Sequence, residues 1–338
     1  MVPHPQADEP SSAEPRTWRP WRSAWADAAY GPGGFWSTQR PGGHFATAVG
    51  AGPLVARAVA ALVPTARVVV DVGAGDGGLL AALVDLVPDV TLVGVDRRAR
   101  PAGLDPRVRW VVDHWDVDAE RWTGDGPAAW TGLAAGAPLY VAHEWLDDLP
   151  VPVVEQRAGA WLELDVDRSG HERPGGVVGP TDRAWLARWW SDGVRTEVGR
   201  TRDAAWAALV RTALERGGWA LAVDYGHLAG LRPAAGTLTA YGRGRQRAPV
   251  PDGSVNLTAG VAVDALVEAG EAVGATTLLL DRQAAVLDRV VPEDPAGPAP
   301  DPLQALVRRG ERAAVTDRRR WGDLWWLLQG TRPDDAGS

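Results

Sequence analysis

The sequence predicts the α/β class, with a doubly wound, mostly parallel, Rossmann-like sheet and an inserted α+β lid region. Three observations lead to this prediction. From residue 67 onward, short apolar runs alternate with helical patterns, which favours parallel strands joined by crossover helices. A glycine cluster follows the first of these strands directly. A longer segment between the fourth and fifth strands departs from the alternation.

The residues before this pattern fall into two parts. Residues 1–20 are rich in proline and serine, so they predict a disordered tail, and they contain no apolar segment typical of a signal peptide. Residues 21–65 include the stretch 30–52, in which many glycines stand among aromatic residues, and this predicts an ordered loop rather than a linker. After it comes "GPLVARAVAALV", whose apolar residues have helical spacing.

The core of the fold is predicted over residues 66–150 and is completed by residues 216–338. The first strand is followed by a helix, "GLLAALVDLVP", which Pro88 closes. After the fifth strand we expect a loop and then a helix that begins near Thr258. The predicted strands, in chain order, are "RVVVDVG", "VTLVGVD", "VRWVV", "APLYVAHEW", "GWALAVDYG" and, close to the end of the chain, "DLWWLLQ".

The segment 151–215 is predicted to be an insertion that covers the ligand edge of the sheet. It opens with an alternating pattern typical of a hairpin, and Ala158 and Gly159 lie near its turn. Two helical patterns follow, "DRAWLARWW" and "TRDAAWAALVRTALERGG", and Gly217 suits the position just after the second helix.

The composition excludes several classes of function. There is no cysteine and no lysine, which excludes disulfides, thiolate metal sites and Schiff-base chemistry. The net charge is −8 and the arginines are scattered, so we expect no nucleic-acid partner. No apolar run approaches the ~20 residues of a membrane span, so a cytoplasmic protein is expected. The 18 tryptophans, against two phenylalanines, are expected to fill the core; an aromatic groove for a bulky acceptor is the alternative.

The glycine turn fits two ligand patterns. Gly73, Gly75 and Gly78 match the dinucleotide fingerprint, whereas Gly73, Gly75 and Gly77, with Asp71 two residues ahead, match the pattern of nucleoside methyltransferases. In both cases the backbone must turn sharply and approach a ligand closely, which a Cβ would obstruct.

Acidic residues around the turn favour the second pattern. Asp71 and Asp76 would repel the pyrophosphate of a dinucleotide, but S-adenosylmethionine has no phosphate and carries an ammonium and a sulfonium. Asp71 could instead only cap the turn. Asp96 ends the second strand about 20 residues beyond the glycines, where a carboxylate can accept the ribose hydroxyls; it could also be a simple turn residue.

The stretch "LYVAHEWLDDLPVPVVE", residues 139–155, is the most specific motif, and it lies where the fourth strand meets the ligand edge. It resembles the pattern "ANE(F/W)(L/F)DxLPV" of the MidA-type methyltransferases, a group that includes the mitochondrial complex I assembly methyltransferase. Further motifs resemble that family in the same order from about residue 30 to 329. Among them are "GGHFATAVGAG", "VRTEVGR" with Glu197, "ALAVDYGH" and "GTLTAYGRGR".

The resemblance implies a class I methyltransferase that uses S-adenosylmethionine and needs no metal. It implies that Glu144 and Asp147 lie near the transferred methyl group, and that Gly43 and Thr47 close the cofactor site within the segment 21–65. The mitochondrial member modifies arginine side chains, so a protein arginine is the implied acceptor. The chain departs from the family at two positions, where His143 replaces an asparagine and His44 replaces an acidic residue; either histidine could be a change without chemical effect.

Three functions remain open from the sequence. The first is a protein methyltransferase in which Glu144 pairs with a guanidinium and Asp147 helps to orient it. The second is a small-molecule O- or N-methyltransferase, for which His143 would be the base of a hydroxyl acceptor. The third is an inactive assembly or binding protein on the same fold. A dehydrogenase that uses NAD is disfavoured by Asp71. Asp224 and Tyr225 are further candidates for shaping the acceptor pocket, and the oligomeric state stays open.

Overall fold

Seven strands form the central sheet of the computed structural model, which describes residues 16–39, 47–132, 134–190, 193–292 and 301–331. The spatial order is β6-β7-β5-β4-β1-β2-β3, and all neighbours are parallel except those of β7, which is antiparallel to both β5 and β6. The α/β class is thereby confirmed. The strands are β1 Val68–Val72, β2 Thr91–Asp96, β3 Val108–Val112, β4 Pro138–His143, β5 Trp219–Asp224, β6 Thr276–Arg282 and β7 Trp325–Gly330.

Successive side chains of these strands enter two different hydrophobic layers, as the two-residue period of a strand requires. Val69 and Leu139 belong to the layer that packs on the helices Leu54–Leu62 and Gly78–Leu83. Val70 belongs to the opposite layer. Because both faces of β1, β4 and β5 are covered, these strands consist almost entirely of apolar residues.

The chain leaves β1 in one direction toward β2 and β3 and later in the other direction toward β4 and β5. The strand order therefore reverses between β1 and β4. In open α/β sheets the loops diverge at such a reversal, and the crevice outside the carboxyl ends of the strands is the usual ligand site.

A second, antiparallel sheet contains the predicted hairpin, Val153–Arg157 and Ala160–Val166. Its turn residues Ala158 and Gly159 both have positive φ, 49° and 81°, as a tight two-residue hairpin turn requires. The short strand Arg19–Pro20 pairs with the end of this hairpin. The predicted tail was therefore too long, because its last two residues are ordered by a partner far along the chain; residues 1–15 lie outside the described residues.

The helix Arg200–Glu215 packs on the central sheet rather than on the second sheet. Its apolar face, which includes Trp206 and Leu209, is buried in the same layer as Val70 and Tyr140. It is thus the crossover helix between β4 and β5, although the predicted boundary at residue 215 assigned it to the insertion. Gly217 has φ 64° just beyond the helix, as predicted.

One further prediction was wrong in detail, and one strand was not predicted. The helix expected near Thr258 begins at Val263, because Asn256–Thr258 is a strand that pairs with Thr239–Gly242. β6 was not predicted, since "TTLLLDR" lacks a clear alternation.

No described helix is long and apolar enough to cross a membrane. The other helices are Trp21–Tyr30, Phe35–Thr38, Pro127–Trp130, Pro180–Trp189, Val263–Ala272, Gln283–Val290 and Pro302–Thr316; the other strands are Trp115–Asp116, Arg121–Trp122, Glu172–Val177, Arg195–Glu197, Gly226–His227, Arg245–Arg247 and Val261–Ala262.

Candidate functional site

A cavity of about 420 Å³ lies at the carboxyl ends of β4, β1, β2 and β3, where the strand order reverses. Its size is within the range of small-molecule sites. The residues that line it come from the ends of these four strands and from the N-terminal segment. They include Asp71–Asp76, Val95–Arg97, Asp113–Trp115, His143–Trp145, Asp148 and Leu149, together with Tyr30, Trp36, Thr47, Val49 and Gly50.

The glycine turn after β1 satisfies the pattern of Gly73, Gly75 and Gly77. These three residues have φ of 71°, 59° and 77°, a region that side chains disfavour. A Cβ on Gly77 would lie 2.8 Å from Leu104 Cδ1, whereas one on Gly78 would meet only Val49 Cγ1, at 3.7 Å. Gly77 does not line the cavity, so its role is in the turn, while Gly78 begins the next helix and does line it.

Asp96 connects the end of β2 to this turn. One carboxylate oxygen accepts a hydrogen bond from Gly75 N at 2.9 Å, and the other accepts from Arg98 N at 2.9 Å and from Arg98 Nε at 3.2 Å. The oxygen that accepts from Gly75 N has a second lone pair, whereas the other oxygen already accepts two hydrogen bonds. Asp96 can therefore order the glycine turn and still accept a ligand hydroxyl at the cavity, which it lines.

Asp71 lies inside the sheet at the cavity and is only 4% exposed. Burial, and then the charge of Asp96, raise its pKa to about 8, so the carboxyl is mostly neutral at pH 7 in the free protein. Arg97 is the one arginine among the described lining residues, against six carboxyl groups: Asp71, Asp76, Asp96, Asp113, Glu144 and Asp148. Such a site fits a ligand with cationic groups, as S-adenosylmethionine has, and opposes a pyrophosphate.

The N-terminal segment closes one side of the cavity. The hydroxyl of Tyr30 donates to the backbone carbonyl of Asp148 at 3.0 Å, and the guanidinium of Arg97 lies 4.3 Å from the centre of the Tyr30 ring. Thr47 lies on the cavity, where it was expected. Gly43 and His44 lie outside the described residues.

An aromatic surface forms the side of the cavity next to β3; the sequence predicted an aromatic groove only as an alternative and assigned no residues to it. The rings of Trp122 and Trp145 stack with centroids 5.6 Å apart, and Trp115 meets Trp122 edge-on at 5.4 Å.

Asp113 follows β3 directly, in the same way that Asp96 ends β2. A systematic search for acidic residues at strand ends would have identified this position from the sequence.

Glu144 has a left-handed backbone directly after β4, with φ 48°. Its N–H donates to Val223 O at 2.8 Å, and its carboxyl group accepts from Ala48 N at 3.0 Å. Residues 145–149 form turns and no helix, so Glu144 does not cap a helix. Burial and the charge of Asp147 raise the pKa of Glu144 to about 8, against the lowering effect of the Ala48 N–H.

His143 lines the cavity beside Glu144. Its Nδ1 lies 3.6 Å from the nearer carboxyl oxygen of Glu144, and its Nε2 is buried without a hydrogen-bond partner in the described chain. Burial lowers the pKa of His143 to about 4, so the imidazole is neutral at pH 7.

Asp147 does not line the cavity, which corrects the expectation that it lies near the transferred methyl group. The turn after Glu144 directs its side chain the other way, where one carboxyl oxygen accepts from the Thr258 hydroxyl at 2.6 Å. Burial raises the pKa of Asp147. The neighbouring Asp148 lines the cavity instead. A single sequence does not show which of two adjacent acids a turn exposes.

Comparisons with known proteins agree with this geometry. The model of the Methyltransf_28 family, described as S-adenosyl-L-methionine-dependent methyltransferases, matches residues 97–280, more than half of the chain. No curated protein matches the chain.

Two crystal structures of COG1565 superfamily proteins from Burkholderia thailandensis share the fold. The one bound to S-adenosylhomocysteine has a TM-score of 0.71 at 24% identity, and the alignment covers 93% of this chain and 88% of that chain. The native structure has the same score and identity and covers 93% of this chain and 87% of that chain. The chain therefore belongs to the Methyltransf_28 family, and it is a methyltransferase whose cofactor is S-adenosylmethionine.

Proposed function

We propose that the chain is a MidA-type, cytoplasmic enzyme that transfers the methyl group of S-adenosylmethionine to an arginine side chain of a protein. The observation that carries this proposal is Glu144. Its backbone is left-handed, its carboxyl group is buried at the cavity, and the acceptor's side of the cofactor is expected at the carboxyl end of β4.

The cavity suits a planar cation. A carboxylate can pair with a guanidinium through two parallel hydrogen bonds, which orients the acceptor nitrogen. Aromatic faces such as those of Trp122 and Trp145 also attract cations. The raised pKa of Glu144 favours a neutral carboxyl in the free protein, but two arriving positive charges would favour its ionised form.

The side chains of the protein would align the acceptor nitrogen with the methyl group and accept a proton from the acceptor. S-adenosylmethionine supplies a methyl group on a cationic sulfur. The glycine turn and Asp96 would hold the cofactor, and Asp71 would balance its positive charge. Glu144 would orient the guanidinium and accept the proton that it loses as its nitrogen forms the bond to the methyl carbon. The sulfur keeps the electron pair of the broken bond. Alignment of this kind contributes up to about 7–11 kcal/mol.

The domain assignment is part of the same proposal. Residues 21–65 cover the cofactor, which is supported by Tyr30, Trp36 and Thr47 on the cavity. The insertion that starts at residue 151 borders the acceptor's path, since it follows directly on the turn after Glu144. None of its described residues, 151–190 and 193–215, lines the cavity itself.

The test is incubation of the pure protein with labelled S-adenosylmethionine and a cell lysate. The proposal expects label in protein, recovered as methylated arginine after hydrolysis, and loss of that label in Glu144→Gln. Label that enters only small molecules would contradict the proposed acceptor while leaving the methyltransferase intact.

A small-molecule hydroxyl acceptor is the second candidate, and it is favoured by the Nε2 of His143, which is buried at the cavity without a hydrogen-bond partner among the described residues. An imidazole that is unprotonated at pH 7 can accept a hydroxyl proton. In that case His143→Gln would abolish transfer into the small-molecule fraction, and Glu144→Gln would reduce it less. An inactive assembly protein would bind S-adenosylhomocysteine and transfer label to neither fraction.

A further inference from the structure

Side chains from four separate parts of the chain hold the turn that follows Glu144, residues 145–149. Both its backbone amides and its backbone carbonyls have partners outside the turn. The contacts are Leu146 N to the Asp224 carboxylate at 2.9 Å, the Tyr30 hydroxyl to Asp148 O at 3.0 Å, the Thr258 hydroxyl to the Asp147 carboxyl at 2.6 Å, and a set from Arg202.

Arg202 lies beneath this turn, near the start of the helix Arg200–Glu215, and is 1% exposed. Its guanidinium donates to Asp147 O at 2.7 Å and to Leu149 O at 2.9 and 3.1 Å. It also donates to Ala259 O at 2.8 Å. All of these acceptors are backbone carbonyls. The planar fork of arginine suits several fixed acceptors at once, which the single ammonium of lysine does not.

Glu144 depends on this arrangement. A left-handed backbone at a residue with a long side chain persists only where surrounding contacts over-determine it. The Glu144 carboxyl group meets Ala48 N, which belongs to the N-terminal segment and is 96 residues away in sequence. Arg202 contacts neither Glu144 nor the cavity directly.

We propose that Arg202 is a positioning residue for methyl transfer: it fixes the carbonyls of Asp147 and Leu149, and thereby holds the Glu144 carboxyl at Ala48 and at the cavity. The inference rests on the proposed function for the role of Glu144. Arg202 lies in the helical pattern "TRDAAWAALVRTALERGG" and outside the motifs quoted for the family resemblance.

Hydrogen exchange of the Ala48 amide can show whether the Glu144 carboxyl is in place, and this measurement needs no methyl acceptor. Its hydrogen-bond partner is the Glu144 carboxyl, so its hydrogen exchange should accelerate when that carboxyl moves away. In Arg202→Lys, which keeps the charge but loses the fork, we expect exchange at Ala48 to be about tenfold faster. Glu144→Ala should accelerate Ala48 in the same way. Exchange in β1 and β4 should stay unchanged.

The matched control is Arg216→Lys. Arg216 follows the same helix and donates to Ala134 O at 2.9 Å and to the Thr131 hydroxyl, but it does so before the start of β4, at the opposite edge of the sheet. This variant should leave the exchange of Ala48 unchanged. If Arg202→Lys does not fold, Arg202→Gln keeps a planar donor without a buried charge and takes its place.

Unchanged exchange at Ala48 in the Arg202 variant, with acceleration in Glu144→Ala, would overturn the inference. Equal acceleration in β1, β4 and Ala48 would also overturn it, because Arg202 would then act only on global stability. Once an acceptor is known, kcat should fall about 100-fold with the KM for S-adenosylmethionine within about threefold. If the wild type transfers no methyl group, the proposed function fails, and the exchange data still decide whether Arg202 holds Glu144.

Discussion

Three carboxyl groups that line the cavity, those of Asp71, Glu144 and Asp148, have a pKa above that of an ordinary acid. Burial raises the pKa of both Asp71 and Glu144 to about 8, and nearby acids add to the effect. A cationic ligand that enters the cavity favours their ionised forms. The empty protein is therefore expected to hold protons that it releases when the cofactor, and then the acceptor, binds.

The first prediction concerns the stability of Glu144→Gln as a function of pH. Between the ordinary pKa of a glutamate and about 8, the unfolded wild type has lost this proton and the folded wild type keeps it. The free energy of unfolding of the wild type therefore falls as the pH rises, by at most about 1.4 kcal/mol per pH unit for this one proton. The variant lacks the titrating carboxyl group, so this pH-dependent loss of stability is absent. Its melting temperature relative to the wild type should therefore rise from pH 5 to pH 8. A constant difference would show that Glu144 is ionised throughout.

The second prediction concerns protons released when S-adenosylmethionine binds. The wild type should bind more tightly at pH 8 than at pH 6, because Asp71 must ionise to balance the cofactor's charge. Asp71→Asn should show a weaker pH dependence and should release fewer protons. Calorimetry in buffers of different ionisation enthalpy measures both, and the amino group of the cofactor titrates equally in the two proteins. Equal proton release by the wild type and Asp71→Asn would show that Asp71 does not ionise when the cofactor binds.

Among the elements, the glycine turn between β1 and the helix Gly78–Leu83 provides a matched pair of substitutions. Gly77 has φ 77° and faces Leu104, whereas Gly78 lies in the helix and has space for a Cβ. Gly77→Ala should lower the free energy of unfolding by about 1–3 kcal/mol, and Gly78→Ala should change it little. Thermal melts of the two variants test this, and similar losses in both would show that the turn relaxes around a Cβ.

The crossover helix Arg200–Glu215 links the fold to the site. Its middle part buries Trp206 and Leu209 on the sheet, while Arg202 near its start holds the turn after Glu144. A helix that is anchored along the sheet provides a rigid base for such a contact. The position of the turn therefore depends on the packing of the whole element.

At the scale of the whole molecule, the cavity belongs to no single segment. The ends of β1–β4 form its base, and Tyr30, Trp36 and Thr47 from the N-terminal segment close it. A ligand that fills this junction stabilises all of these parts together. S-adenosylhomocysteine at 100 times its Kd should therefore stabilise the folded chain by about 2.7 kcal/mol.

NAD should give no such stabilisation, because its pyrophosphate would meet Asp76, Asp96 and Asp113 at the cavity, with Arg97 as the one arginine among the described lining residues. Thermal unfolding with each ligand at equal concentration makes the comparison. Stabilisation by NAD alone would contradict the assignment of the glycine turn.

Much of this architecture follows from local patterns. The runs around Val70, Val93, Tyr140 and Ala222 predicted β1, β2, β4 and β5, because a strand buried on both faces needs an unbroken apolar sequence. The positions of Asp71, Asp96 and Glu144 at one edge follow as well, since parallel strands end on the same side. β6 escaped prediction because its pairing with β7 decides its conformation.

Only the tertiary structure decided which members of each motif face the cavity. Sequence spacing allowed both glycine patterns, and the structure places Gly73, Gly75 and Gly77 at positive φ, whereas Gly78 begins the helix. Asp147 and Asp148 are adjacent, and the hydroxyl of Thr258, far along the chain, turns the first away from the cavity. The local sequence determines where strands and turns occur, because their conformation depends largely on residues that are close together in the chain. The direction of a side chain at the site depends on contacts between residues far apart in the chain, such as Asp147 and Thr258, which are 111 positions apart. A single sequence does not record these contacts.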